Sequence, residues 1–282
     1  MNRRRFLRYA AGVAATGMAG VLVDTFWIEP HWVEVVHRSL PVVGLPPTLV
    51  GSRLIQISDL HVGPQVEDQY LAGCLQTVSD LKPDFLVITG DLVTYQGPRQ
   101  LSQLRHLLRG LPKPRLASLS VLGNHDYGPG WSSPQVAADV AAELTHVEVR
   151  VLRNETHSVA GLTFVGLDDL WSGGFAPARA FGGISPTQPM IALCHNPDAA
   201  DRPGWESFRG WILAGHTHGG QCKPPFLPPP ILPVRNRRYI AGEVRLADGR
   251  RLYINRGLGH LLQVRFNVRP EITVFTLAAG VP

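Results

Sequence analysis

Short apolar runs alternate with amphipathic stretches from residue 53 onward. In the first half, three runs have the length and apolar content of buried strands, and the segments between them carry apolar residues at helical spacing. The predicted strands are 53–57, 85–89 and 116–122, and the predicted helices are 68–80 and 99–109. This order is a βαβαβ start, which is typical of a parallel sheet covered by helices.

The second half has shorter units that are richer in strands. Its apolar runs predict strands at 147–152, 162–167, 190–194, 211–214, 251–255 and 272–277. Together with the first half, they predict an α/β fold built as a two-sheet α/β sandwich.

The N-terminal segment has a different pattern. Arg3, Arg4, Arg5 and Arg8 precede residues 9–23, an uncharged run of apolar and small residues. At about 15 residues the run is short for a transmembrane helix, and it looks like the apolar part of a twin-arginine export signal. A retained membrane anchor and a soluble N-terminal helix are the alternatives.

This pattern divides the chain into three parts. We expect a twin-arginine signal or anchor at 1–25, a linker and entry segment at 26–50, and a single folded domain at 51–282. Phe26, Trp27 and Trp32 follow the leader, where they either sit at a lipid headgroup boundary or pack as ordinary apolar residues.

Composition adds constraints on partners. The chain has 44% hydrophobic and 17% charged residues, as a folded globular chain does. Of the net charge of +5, the four leader arginines bring +4 and Asp24 and Glu29 bring −2, so only +3 belongs to the rest. We therefore expect no nucleic-acid partner and a monomer, with the twin-arginine export machinery and a membrane surface as candidate partners.

The three cysteines have no paired spacing. Cys194 and Cys222 both lie beside predicted ligands. Three interpretations are open: both are buried thiols, they form a Cys194–Cys222 disulfide bridge, or one of them is a thiolate ligand.

Five polar motifs each begin where an apolar, strand-like run stops. They are Asp59-Leu60-His61, Gly90-Asp91, Gly123-Asn124-His125-Asp126, Cys194-His195-Asn196 and Gly215-His216-Thr217-His218. The carboxyl ends of strands are where α/β sheets place their chemistry, and Asp, His and Asn are metal ligands. The residue types and their order resemble the calcineurin-like metallophosphoesterase family over roughly residues 50–277, which makes 51–282 a metallophosphoesterase domain.

The resemblance implies two divalent metal ions, of manganese, iron, zinc or cobalt. It implies that one ion is held by Asp59, His61 and His218 and the other by Asn124, His195 and His216, with Asp91 bridging both. Two divalent cations with two carboxylates leave the site near +2, which attracts an anionic phosphate, whereas four carboxylates would not.

His125 follows the ligand Asn124 directly. We expect it to be the general acid for the leaving oxygen, with Asp126 orienting its ring; the alternative is that His125 only hydrogen-bonds the bridging ligand. Arg256 either clamps a phosphate or braces a ligand loop. Asp168 and Asp169 also end a strand-like run, where capping or solvation is favoured over a metal role.

Residues 223–233 contain six prolines and begin five residues after His218. Because prolines stiffen the segment, we expect Phe226, Leu227, Ile231 and Leu232 to form an exposed apolar rim over the site that contacts the substrate. The alternative is that they pack against the domain.

The run Gly215-His216-Thr217-His218-Gly219-Gly220-Gln221 and the leader are similar to a bacterial branch of the family. Several members of that branch are known only as phosphodiesterases, and the branch is similar to enzymes that cleave the pyrophosphate of UDP-2,3-diacylglucosamine in lipid A synthesis. The resemblance implies a hydrolase of phosphodiester or pyrophosphate bonds, with a lipid-linked substrate as one case, at or outside the cytoplasmic membrane. An exported phosphomonoesterase, a non-catalytic metal-binding scaffold and a location on the cytoplasmic face are the alternatives.

Overall fold

The computed structural model describes residues 2–185, 187–205 and 208–281, so Met1 and Pro282, at the ends of the predicted leader and domain, lie outside it. The helices are α1 (Arg3–Val23), α2 (Asp68–Asp80), α3 (Arg99–Leu108), α4 (Pro134–His146) and α5 (Pro177–Phe181). The strands are β1 (Glu34–Val43), β2 (Arg53–Ile57), β3 (Phe85–Thr89), β4 (Ala117–Val121), β5 (Val149–Val151), β6 (Glu155–Val159), β7 (Leu162–Gly166), β8 (Met190–Leu193), β9 (Trp211–Ala214), β10 (Gly242–Arg245), β11 (Arg251–Ile254) and β12 (Glu271–Gly280).

The strands form two six-stranded mixed sheets, in the orders β1-β12-β2-β3-β4-β5 and β10-β11-β9-β8-β7-β6. Within the first sheet β2 to β5 are parallel, and within the second β7, β8, β9 and β11 are parallel. The predicted two-sheet α/β sandwich is confirmed.

One apolar core lies between the two sheets. The rings of Phe85 in β3 and Phe164 in β7 meet there with centroids 5.3 Å apart, and both are fully buried. Burying a side chain of this size contributes about 1.5–3 kcal/mol. Helices α2, α3 and α4 pack their apolar faces on the outer side of the first sheet, and α5 with Trp205 covers the second. Four layers result, in the order helices, sheet, sheet, helix.

Strand β1 lies inside the segment that we expected to be a linker and entry segment. It pairs in parallel with β12 over all ten residues, so residues 34–43 of the predicted linker and entry segment belong to the first sheet. As an edge strand, β1 tolerates Pro41 and an exposed middle, and these hide its period-two pattern.

Four further elements were not predicted: α4, α5, β6 and β10. Helix α4 starts with a recognisable signal, because Ser133 caps it and Pro134 occupies its first position. Strands β6 and β10 are half-exposed edge strands, each paired antiparallel with one neighbour.

Helix α1 buries none of its residues. It continues through a π turn (Asp24–Ile28) and a 3-10 turn (Glu29–His31) into β1. The stretch Arg3–His31 contains an 18-residue window with a mean hydropathy of 1.5, which is long and apolar enough to cross a membrane. A signal sequence near the N-terminus has the same features.

Candidate metal centre

The seven predicted metal ligands follow five strands that end at one edge of the sandwich. Asp59 and His61 follow β2, Asp91 follows β3, Asn124 follows β4, His195 follows β8, and His216 and His218 follow β9. Each of the seven is buried. Backbone hydrogen bonds from Asp59 N to Gly90 O (2.9 Å) and from His61 N to Asp91 O (3.0 Å) join the first two loops.

Six of these residues form two groups whose ligand atoms converge. One group is Asp59, His61 and His218, and the other is Asp91, His195 and His216. The Nε2 atoms of His61 and His218 are 3.1 Å apart, and the same distance separates His195 Nε2 from His216 Nδ1. Each group therefore offers a carboxylate oxygen and two ring nitrogens to one point.

Asp91 reaches both groups. Its Oδ2 lies 3.1 Å from His195 Nε2 and 3.5 Å from His61 Nε2. Its Oδ1 accepts a hydrogen bond from the backbone N–H of His125 (2.9 Å), which fixes the plane of the carboxylate. This is the placement that a carboxylate bridging two cations requires.

Each histidine ring is held from behind through its other nitrogen. His195 Nδ1 donates to Thr89 O (2.8 Å), His216 Nε2 to Pro233 O (2.9 Å) and His218 Nδ1 to Gly259 O (3.2 Å). His61 Nδ1 lies 2.8 Å from Thr94 Oγ1. Such outer partners fix the tautomer that leaves the inner nitrogen free to bind a metal.

Asn124 provides the clearest test of whether metals fit. Its side chain is 1% exposed, yet neither its Oδ1 nor its Nδ2 has a hydrogen-bond partner. A buried amide without partners costs about 1–3 kcal/mol, and coordination through Oδ1 would remove much of that cost. The donor set of imidazole, carboxylate and amide oxygen suits divalent first-row metals.

The electrostatics favour imidazoles that bind metal. Burial lowers the pKa of His61 and of His216 to about 3 and holds the pKa of His218 well below its usual value, so these rings are neutral. Burial also acts on His195, but the carboxylate of Asp91 outweighs it and raises the pKa to about 10. His195 thus holds a proton against Asp91 at the point where a divalent cation would replace it.

The ligand loops are strained. Asp59, His61, Asp91, His216 and His218 all have positive φ, between 48° and 73°. Non-glycine residues in this region cost about 1–3 kcal/mol each, and such strain clusters at functional sites. Close approach also requires glycine at two motif positions, since a Cβ on Gly123 would lie 2.2 Å from Asp91 Oδ1 and one on Gly215 2.4 Å from Asp59 Oδ2.

The side chains of the two predicted catalytic residues, His125 and Asp126, do not contact each other. His125 is half-buried beside the metal ligands, with its ring centroid 5.1 Å from that of His61. Asp126 points elsewhere: its carboxylate accepts backbone hydrogen bonds from Leu92 (2.8 Å), Val93 (3.2 Å) and Gly123 (2.9 Å). The prediction that Asp126 orients the His125 ring was therefore wrong, because its lone pairs hold the ligand loops after β3 and β4 together.

The predicted substrate residue Arg256 is committed to two carboxylates. Its Nε donates to Glu271 (2.6 Å) and its Nη2 to Glu34 (2.7 Å), which ties the starts of β12 and β1 to the loop after β11. Of the two roles left open, this geometry favours the bracing one.

The remaining candidates near the site have structural partners. Asp168 accepts from Tyr127 and Arg153, and Asp169 caps a turn by accepting from the N–H groups of Trp171 and Ser172. Both are buried, so solvation was the wrong alternative for them. All three cysteines are free, and burial raises the pKa of Cys194, so its thiol stays protonated.

The proline-rich segment lies beside the site. Phe226, Leu227 and Ile231 are exposed as predicted, but Leu232 is buried and was wrongly included among the exposed residues. The segment packs closely on the loop after His218. Pro229 lies so near Gly220 that a Cβ added to Gly220 would be 2.3 Å from Pro229 Cβ.

Two tryptophans that the sequence did not single out form one wall of the site. Trp171 meets the ring of His216 edge-on at 4.4 Å and stacks on Trp131 at 4.8 Å, and Trp131 lies 6.1 Å from His125. Both are partly exposed, so they present an aromatic surface to a substrate.

Comparison with known proteins agrees with this arrangement. The profile described as "Calcineurin-like phosphoesterase" matches residues 52–220. The chain is 33% identical to the "Uncharacterized metallophosphoesterase YkuE" of Bacillus subtilis, over 98% of each chain. It is 29% identical to the "Phosphodiesterase YaeI" of Escherichia coli, over 98% of this chain and 99% of the relative. It is also 29% identical to the "UDP-2,3-diacylglucosamine pyrophosphatase LpxG" of Chlamydia trachomatis, over 91% of this chain and 94% of the relative. With its two clusters of candidate metal ligands at the matched strand ends, the chain belongs to the calcineurin-like phosphoesterase family.

Proposed function

We propose that this protein hydrolyses phosphodiester or pyrophosphate bonds at a dinuclear metal centre. The observation that carries the proposal is the convergence of four imidazoles on Asp59 and Asp91, each ring held from behind by an oxygen. This arrangement leaves two adjacent sets of free ligand atoms that share one carboxylate.

We assign Asp59, His61 and His218 to one metal, Asn124, His195 and His216 to the other, and Asp91 to both. Bound metals would supply Lewis-acid stabilisation of the negative charge that develops on the phosphoryl group. Manganese, iron, zinc and cobalt all suit these ligands, and the choice depends on availability.

The other residues of the site complete the chemistry. His125, whose ring centroid lies 5.1 Å from that of the ligand His61, donates a proton to the leaving oxygen. Trp131 and Trp171 can stack on a planar group of the substrate, while Phe226 and Leu227 offer apolar contact. A lipid-linked pyrophosphate of the kind named for LpxG would use both surfaces.

Two alternatives remain distinguishable. A phosphomonoesterase would use the same centre, and a non-catalytic scaffold would bind metals without turnover. The assay measures hydrolysis of aryl phosphate monoesters and diesters with and without metal. We expect the metal-stripped protein to be inactive. Added manganese or zinc should restore activity, with faster cleavage of the diester than of the monoester. Faster monoester cleavage would point to the first alternative, and metal binding without any hydrolysis to the second.

We further propose that the leader directs export by the folded-protein route, so that the enzyme acts on the periplasmic side. The proposal is supported by the arginine run and by the fully exposed α1. Changing Arg3, Arg4 and Arg5 to Lys should retain the enzyme in the cytoplasmic fraction, because the export receptor recognises the arginines. The unaltered leader is the control. Fractionation that the change does not alter would instead support an anchor, with the cytoplasmic face as the alternative location.

A further inference from the structure

Several large apolar side chains are exposed beside the metal centre. Phe226 is fully exposed, and Ile231 and Leu262 are 78% and 68% exposed. Together with Leu227 they form the observed rim, in which Leu262 takes the place of the buried Leu232; from here on these four side chains are called the apolar rim. The two chain segments that carry them are adjacent, since Lys223 N donates to Phe266 O and Gln221 Nε2 donates to Leu262 O. Exposed apolar clusters of this kind mark sites of interaction.

The apolar rim is held in an exposed position by a rigid base. Pro229 and Leu232 are buried, Arg237 donates to Pro229 O (3.0 Å), and Pro233 O accepts from the predicted metal ligand His216. Six prolines in residues 223–233 limit any collapse of the loop onto the domain. The exposed side chains therefore point outward as a property of the fold.

The same surface holds the end of the N-terminal helical stretch. Arg265 N donates to Thr25 O (3.0 Å), Gln263 Nε2 donates to Phe26 O (3.1 Å), and Asn267 N donates to Glu29 Oε2 (2.8 Å). Trp27 and Trp32 are exposed there, and tryptophan favours the boundary between lipid and water.

Sheet topology places that helix end at the metal edge. Strand β1 begins three residues after His31 and is parallel to β12, which is antiparallel to β2. The start of β1 therefore lies at the edge where β2 ends and Asp59 follows. A bilayer crossed by α1 would meet the protein on its metal side.

Charge on this surface suits anionic headgroups. Residues 223–242 contain Lys223, Arg235, Arg237 and Arg238 and no acidic residue, and Arg269 lies against the exposed ring of Trp32. Glu29 is buried and accepts from backbone N–H groups. Basic residues beside a membrane helix are attracted to anionic lipid.

We propose that the apolar rim inserts into the headgroup region of an anionic lipid bilayer beside α1, so that the metal centre faces the membrane surface. A substrate with acyl chains then reaches the metals without leaving the bilayer, a consequence that rests on the proposed function. The contact with lipid itself does not depend on hydrolysis.

The test is a fluorescence measurement on the full chain in vesicles of phosphatidylethanolamine and phosphatidylglycerol. Phe226→Cys, in a Cys222→Ser background, carries an environment-sensitive nitrobenzoxadiazole label. Val50→Cys is the matched control, because Val50 is an exposed apolar residue just before β2, at the opposite edge of the sheet. We expect a blue shift and quenching by nitroxide lipids at position 226 and neither at position 50.

A water-like spectrum at position 226 in vesicles would overturn the proposal. So would a blue shift that appears without lipid and grows with protein concentration, since a second copy would then cover the rim. If the label at position 226 inserts into the bilayer but the protein has no hydrolytic activity, the proposed function is refuted and the proposed contact with lipid is still supported.

A second readout concerns substrate choice. The double variant Phe226→Ser, Leu227→Ser should lower the ratio of rates on an acylated diester and a short soluble diester by about tenfold, the factor that corresponds to one large apolar side chain. Val43→Ser with Val50→Ser, at the opposite edge, should leave the ratio unchanged. Equal ratios in the two double variants would contradict delivery of substrate from the membrane.

Discussion

Replacing Asp91 with Asn is expected to reduce metal content below two ions per chain and to lower turnover of a phosphodiester by roughly 10³-fold, since Lewis-acid stabilisation is worth several kcal/mol. Oδ2 of Asp91 lies within 3.5 Å of inner ring nitrogens from both ligand groups. An amide has nearly the same shape but lacks the negative charge that offsets repulsion between two cations. Elemental analysis of the purified variant, with rates at saturating metal, measures both effects.

The control for this prediction is Asp80→Asn, which removes an exposed carboxylate at the end of α2 that contacts Gln76. It should leave metal content and rate unchanged. An Asp91→Asn protein that keeps two metals and a near-normal rate would refute the role of Asp91 as the bridging ligand. Thermal unfolding of both variants separates loss of metal from loss of fold.

Much of the site could be predicted because the ligands are tied to strand ends. A buried strand such as β3 has a strong local signal, and the first polar residues after it must lie at the sheet edge. That rule placed Asp59, Asp91 and His195 at one edge without any knowledge of how the strands pair. The edge strand β1 escaped because Pro41 and its exposed middle residues interrupt the apolar alternation that marks a strand.

Side-chain direction is the part that sequence could not give. Asp126 adjoins His125 in the chain, yet its carboxylate accepts three backbone N–H groups, because the 3-10 turn Asn124–Tyr127 directs consecutive side chains to different sides. The outer partners of His195 and His216 are the carbonyls of Thr89 and Pro233, and a backbone carbonyl has no sequence signature. Trp131 and Trp171 meet only through tertiary packing.

The geometry around His125 makes its side chain separable from its backbone. The hydrogen bond to Asp91 comes from the backbone N–H, so an alanine at this position keeps it. Within the described parts of the chain, the ring nitrogens of His125 have no hydrogen-bond partner, and Asp126 is engaged elsewhere. The alternative that His125 serves only to hold the bridging ligand therefore predicts a nearly silent substitution.

We expect His125→Ala to keep both metals and to slow hydrolysis of esters with poor leaving groups by about 10²–10⁴-fold, the usual contribution of a general acid. Esters with good leaving groups need little proton donation and should slow far less. Across a series of aryl and alkyl diesters, the rate of the His125→Ala protein should depend more steeply on the pKa of the leaving group than the rate of the unaltered protein does. Asp126→Ala is the matched comparison: it should lower the melting temperature by freeing three buried N–H groups, without steepening that dependence. Equal slowing of aryl and alkyl esters by His125→Ala would mean that the imidazole does not protonate the leaving oxygen.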